Sequence, residues 1–134
     1  HYGLPQNLLM GIIWVESGCN PLAVSDAGAI GLMQVMPSNQ GKQFRGRPKD
    51  YELFPIDANI LWGTFILYEM DYRYCGLWHR YNSRYPKEQL EYWKCAAGAF
   101  YEGTQVAFTG VIGNSGSRYA EMVIGAARRV DLNE

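Results

Sequence analysis

The chain has 134 residues, 48% of them hydrophobic and 19% charged, with a formal net charge of −1. That is the make-up of an ordinary globular protein of about one domain, and so balanced a charge carries no basic footprint for nucleic acid or an anionic membrane surface. No apolar run comes near the roughly 18 to 20 residues that cross a bilayer, and no charged start, apolar stretch and cleavage site open the chain. It begins at His1 and reads as an excised or processed domain, so its compartment stays open at this level.

Pro5 suits the first turn of a helix that Gly18 can end. Leu9, Ile12 and Ile13 have the spacing of one face of that helix, and Glu16, seven residues after Leu9, falls on the same face. A carboxyl group drawn towards an apolar interior is held in its protonated form. That is what a general acid requires. The competing reading of a lone Glu there is a surface residue or a buried ion-pair partner. The segment that follows adds weight to catalysis. Asn20-Pro21 signals a turn. Gly28 and Gly31 permit backbone turns or close approach that a side chain would block. Ser25, Met33, Gln34 and Met36 are side chains in this stretch that could meet a ligand.

A short helix is expected from about Leu32 to Met36, stopped by Pro37. Residues 38–50 are polar and read as a loop; prolines, glycines and an Asp interrupt the basic residues between Lys42 and Lys49, so these read as a solvated face. Pro55 opens a long helix in which Leu61, Phe65, Tyr68 and Tyr72 have the spacing of a buried stripe. Pro86 opens another through Leu90, Trp93 and Ala97. Residues 109–117 are glycine-rich and read as a loop. Ser117 is placed to cap a last helix ending near Arg128 and Arg129, whose charges suit a helix C-terminus. The pattern is mainly α.

Cys19, Cys75 and Cys95 do not have the spacing of a zinc site, and His1 and His79 do not complete one. Cys75 and Cys95 flank the expected turn at 81–86. They could face each other if the flanking helices run antiparallel, as a disulfide of an exported protein; three unbridged thiols are the slightly favoured reading. Ten Tyr, four Trp and five Phe suit a groove that stacks on sugar rings, although most are expected in the core.

The run from Glu16 to Pro37 resembles the signature of the soluble lytic transglycosylases, lysozyme-like enzymes of the glycoside hydrolase family 23 type that cut bacterial peptidoglycan. It matches at Glu16, Ser17, Asn20, Pro21, Ala23, Ser25, Gly28, Ala29, Gly31, Leu32, Met33, Gln34, Met36 and Pro37. So many residues at fixed spacing make the match specific. The close part runs from about Leu4 to Pro37. Residues 53–68 resemble the family's second long helix, with Asn59 at its Asn. Tyr119, followed by Val123, matches a late Tyr that lies beside the catalytic acid. The chain departs where the family has Ala-Tyr-Asn-x-Gly: Ala99-Phe100-Tyr101-Glu102-Gly103 loses a hydroxyl and replaces an amide with a ring.

The resemblance implies a mainly α, lysozyme-like single domain over residues 1–134 with a glycan-binding cleft. It implies Glu16 as the acid–base, Ser25, Met33, Gln34, Tyr101 and Tyr119 as substrate-binding residues, and no cofactor or metal. Ordinary glycosidases use two carboxyl groups, whereas this signature supplies one. The implied reaction is cleavage between N-acetylmuramic acid and N-acetylglucosamine, closing a 1,6-anhydro ring without water. The expected partner is the peptidoglycan glycan strand and the expected state a monomer, in the cell envelope, periplasm or outside the cell, or on a virion. Two other readings stand beside this one. A hydrolase of the goose-type lysozyme or chitinase kind would need a second carboxylate, such as Asp26 or Glu102. A non-catalytic glycan-binding part of a secretion apparatus or virion would fit the altered Phe100-Tyr101 pair.

Overall fold

The structure is a computed structural model and describes residues 3–82, 84–103 and 112–132. Its helices are α1 (Gln6–Ser17), α2 (Ile56–Tyr74), α3 (Gly76–Tyr81), α4 (Lys94–Glu102) and α5 (Asn114–Leu132). Single 3-10 turns lie at Ser38–Gln40, Lys42–Phe44, Asp50–Glu52 and Leu90–Trp93. Among the described residues there are no strands, only isolated bridges of Ile30 with Val24 and with Val35. The mainly α expectation is therefore met. No helix among the described residues is long and apolar enough to cross a membrane.

The chain falls into two compact units. One is Ile13–Phe65, here the loop unit. The other joins His1–Ile12 to Ile66–Glu134, here the helical unit. Helices α1 and α2 each continue from one unit into the other.

Glycines set the packing of the helical unit. A Cβ on Gly11 of α1 would collide with Val123 O of α5 and crowd Ala127. A Cβ on Gly98 of α4 would press on Ile112 and on the Gly116 carbonyl of α5. Both helix pairs can approach this closely only because these positions carry no side chain. Leu8, Ile12, Leu67, Trp93, Ala96, Ala97, Val123 and Ala127 fill the buried core. Trp93 is fully buried, and its indole N–H donates to Lys87 O at 2.9 Å, so its one polar atom is satisfied.

Cys75, just after α2, is disulfide-bonded to Cys95 in the first turn of α4, with Cα atoms 5.9 Å apart. This corrects the preference for three unbridged thiols: only Cys19 is free, and it is exposed. Beside the bridge, buried Asp71 lies 2.6 Å from His79 Nε2 and accepts a long 3.5 Å bond from the Tyr92 hydroxyl. The His79 and Tyr92 rings stack with centroids 3.9 Å apart.

Several expected elements differ. Most of the stripe assigned to the interior of α2 faces outward: Leu61 is 60% exposed, Phe65 37% and Tyr72 79%, while Tyr68 is half-buried. The buried residues of α2 are Asn59, Gly63, Thr64, Ile66, Leu67, Met70 and Asp71. Helix α2 is apolar on more than one side, so spacing alone does not choose its face. No helix forms over 32–36. Ile30 and Val35 exchange backbone bonds of 2.9 and 3.0 Å, which close a turn, and Gln34 takes a left-handed φ of 52° inside it. The helix expected from Pro86 starts later, as a 3-10 turn at Leu90–Trp93 that leads into α4. Helix α5 starts at Asn114, which puts Ser117 inside its first turn and not at its cap, and runs to Leu132, beyond Arg128 and Arg129. Of the glycine-rich loop expected at 109–117, residues 109–111 lie outside the described residues and residues 114–117 belong to α5.

Candidate active site

Glu16 is the second-last residue of α1 and is half-buried, next to the buried Ile12 and Ile13. The helix stops because Gly18 and Cys19 take left-handed φ values of 60° and 68°. Gly18 N still donates to Trp14 O at 3.0 Å, so the last turn is closed. Ser17 secures the end from outside the helix ladder. Its Oγ lies 2.8 Å from Leu32 O and 3.0 Å from Ile13 O, so one hydroxyl proton serves two carbonyls.

The following segment is a set of tight turns built by its own polar side chains. Asn20 Oδ1 accepts from Leu22 N at 3.0 Å, a local side-chain turn. Ser25 Oγ accepts from Ala29 N at 3.0 Å. Gln34 Nε2 donates to Ala23 O at 3.2 Å and to Gly31 O at 3.0 Å, which joins two successive turns. The expected substrate-binding residues Ser25 and Gln34 thus both build the loop. Each is half-buried and keeps hydrogen-bonding capacity of its own: Ser25 retains its hydroxyl proton and Gln34 its amide oxygen.

Met33 differs from its expected place on a groove wall. Its side chain is fully buried, and a Cβ on Gly63 of α2 would collide with its sulfur. It packs beneath the loop. The loop is anchored there by Asn59 of α2, itself fully buried. Asn59 Oδ1 accepts from Met33 N, and its Nδ2 donates to Ile30 O and to Leu53 O, all three at 2.8 Å. Gly31, with a φ of 75°, leaves the space that the Asn59 amide occupies. Asn59 stands where the resemblance places the family's Asn. Its role as the loop's anchor was not visible in the sequence.

Tyr101 and Tyr119 belong to the helical unit, where they come together. Tyr101 is 53% exposed and stacks on Tyr119, which is only 5% exposed, with centroids 4.7 Å apart and planes at 21°. The neighbouring Glu102 does not present a vacant carboxylate. Its Oε2 accepts from Gly113 N at 2.8 Å and its Oε1 from Gly116 N at 2.9 Å, at the start of α5. Asp26, the other candidate for a second carboxylate, is exposed on its loop.

The helical unit also holds an open cavity of about 380 Å³, lined by Tyr74, Leu77, Trp78, Tyr81, Lys94, Cys95, Ile112 and Ser117. Sequence reasoning missed it. The signal was the pair of i, i+4 spacings Tyr74–Trp78 and Leu77–Tyr81. Among the described residues, no group of three His, Cys, Asp or Glu side chains is placed to hold a metal ion.

A mainly α domain with a half-buried carboxylate closing its first helix, and a glycine-bearing loop anchored to its second, agrees with the lysozyme-like type that the resemblance implies. The family model described as the transglycosylase SLT domain matches residues 1–107, and the chain belongs to that family. Among relatives, it is 46% identical over 72 residues to the membrane-bound lytic murein transglycosylase C of Glaesserella parasuis, covering 49% of this chain and 20% of that protein. It is 34% identical over 105 residues to the protein of the same name from Actinobacillus succinogenes, covering 73% of this chain and 29% of the relative. It is 40% identical over 72 residues to the endo-type membrane-bound lytic murein transglycosylase A of Klebsiella pneumoniae, covering 49% and 36%. The chain thus spans well under half the length of these curated relatives.

Proposed function

We propose that this chain is the catalytic domain of a peptidoglycan lytic transglycosylase, with Glu16 as its single acid–base. The observation that carries the reading is the setting of Glu16: half-buried at the end of α1, beside a serine tied to Leu32 of the family signature. The protonated carboxyl of Glu16 gives its proton to the glycosidic oxygen as the bond from C1 of N-acetylmuramic acid breaks. The substrate's own N-acetyl oxygen stabilises the cationic C1. Glu16, now a carboxylate, takes the proton of the sugar's 6-hydroxyl, and O6 closes on C1. The 1,6-anhydro ring forms, Glu16 is again protonated, and no water is consumed.

The hydrolytic alternative loses support at Glu102, whose two oxygens are engaged by backbone amides. Ser25, Gln34, Tyr101 and Tyr119 are proposed to contact the glycan, and Met33 to support the loop from below. The named relatives favour the cell envelope as the place of action. The Cys75–Cys95 bridge agrees with it, because disulfides persist in oxidising compartments. The domain is proposed to act as a monomer on glycan strands.

Mass spectrometry of digested peptidoglycan, with Glu16→Gln as control, tests the reading. Anhydro-muropeptides from the wild type alone are expected, since Gln is nearly isosteric and gives up no proton. Reducing-end products one water heavier would establish a hydrolase. Binding to the wall without any soluble product would establish a glycan-binding module.

A further inference from the structure

Two helix ends in the helical unit are joined by one side chain. Helix α4 closes at Glu102, where Gly103 N donates to Ala99 O at 2.8 Å and Gly103 takes a left-handed φ of 57°. Helix α5 opens at Asn114, so Gly113 stands at its cap and Gly116 at its third position. The first backbone amides of a helix have no partners within it, and negative charge is favoured beside them. The Glu102 carboxylate takes two of these amides, one on each oxygen, at 2.8 and 2.9 Å.

The space for it is made by absent side chains. A Cβ on Gly113 would lie 2.9 Å from Glu102 Oε1, and one on Gly116 would lie 2.8 Å from the same carboxyl group. Glu102, Gly113 and Gly116 therefore act as one unit. The pair it aligns is next to it. Tyr101 directly precedes Glu102. Tyr119 follows Gly116 by three residues, which is one turn along the same face of α5. Their rings stack at 4.7 Å.

We infer that Glu102 is a positioning residue for the glycan site: by holding the start of α5 to the end of α4, it fixes the Tyr101–Tyr119 stack that the substrate meets. The inference rests on the proposed function for the claim that these rings meet a glycan. The clamp itself stands on geometry alone.

Glu102→Ala, Glu102→Gln and Gly113→Ala test it. The last displaces the carboxylate without removing its charge. The readouts are hydrogen exchange of the Gly113 and Gly116 amides by NMR, KM and kcat on soluble peptidoglycan fragments, and both again with added formate. In Glu102→Ala, exchange at Gly116 is expected to rise about tenfold or more, and KM to rise about tenfold with kcat nearly unchanged, the size of one charge-assisted hydrogen bond. Formate, a free carboxylate, should restore both in Glu102→Ala and change neither in the wild type. Glu102→Gln, which keeps one acceptor, should fall between. Unchanged exchange at Gly113 and Gly116 in Glu102→Ala would overturn the clamp. Faster exchange with an unchanged KM would overturn the positioning role. An inactive wild-type domain would overturn the proposed function instead, and the exchange measurements would still decide the clamp.

Discussion

Ser17 Oγ stands 2.8 Å from Leu32 O, so the residue directly after Glu16 is tied to a loop carbonyl fifteen positions along the chain. Leu32 is buried and Ser17 half-buried, so the bond is partly shielded from water. Ser17→Ala leaves that carbonyl without its donor and frees the last turn of α1 to shift. A stability loss of about 1 kcal/mol is expected, or about 4 °C in Tm for a domain of this size. If Glu16 is the acid, kcat should fall about tenfold, since small misplacement of a catalytic group is costly. Thermal denaturation and the rate of anhydro-product release check the two parts separately.

Asn59 is a second anchor of the same loop, and no isosteric replacement serves. Asn59→Leu strands the Met33 amide and the Leu53 carbonyl, both bonded to it at 2.8 Å, and leaves the Ile30 carbonyl with its Val35 amide alone. Asn59→Asp keeps the acceptor but turns a donor into a carboxylate oxygen facing two carbonyls. Each change should cost about 3 kcal/mol or more, because every buried polar group left unpaired costs about 1–3 kcal/mol. Urea unfolding of the two variants beside the wild type measures this.

The Cys75–Cys95 bridge closes a loop with a sequence separation of 20. Loop-closure entropy for that length corresponds to about 3 kcal/mol. A Cys75→Ala/Cys95→Ala double variant should unfold at correspondingly lower urea. The native oxidised protein should show a single reactive thiol, Cys19. Thiol titration before and after reduction checks the pairing.

Tyr92 gives the fold a dependence on alkaline pH. Burial first, then the charge of Asp71, its hydrogen bond to Asp71 and the nearby Tyr68, hold the Tyr92 phenol above its ordinary value. Below the ordinary tyrosine range near pH 10 the phenol is protonated in both states, and its contribution is fully present. Above that, the unfolded chain ionises first, so stability falls as pH rises towards the folded value. Tyr92→Phe should flatten this fall while leaving stability near pH 7 little changed. Urea midpoints measured from pH 8 to pH 11 check it.

Parts of this structure were legible in the chain because their causes are local. Helix α1 begins after Pro5 and ends at Gly18, as the residues indicated, since a proline's fixed φ and a glycine's left-handed φ act at their own positions. The place of Glu16 beside Ile12 and Ile13 followed from helical period alone. The face of α2 was misread for the opposite reason. Leu61, Phe65 and Tyr72 have helical spacing, but so do Asn59, Gly63, Ile66 and Met70, and burial went to the set whose small Gly63 admits Met33.

The sequence by itself determined the mainly α class, the limits of the first helix, the turn-rich loop after it and the half-buried carboxylate at its end. Helical period, proline and glycine dihedrals and turn chemistry are properties of neighbouring residues. Tertiary structure alone decided the Asn59 anchor, the sinking of Met33, the Cys75–Cys95 bridge and the commitment of Glu102 to the amides of α5. Each depends on groups brought together from 11 or more positions apart, 29 between Asn59 and Ile30. At such separations the partner is chosen by which backbone groups are buried without one, and that is fixed only when the chain has packed.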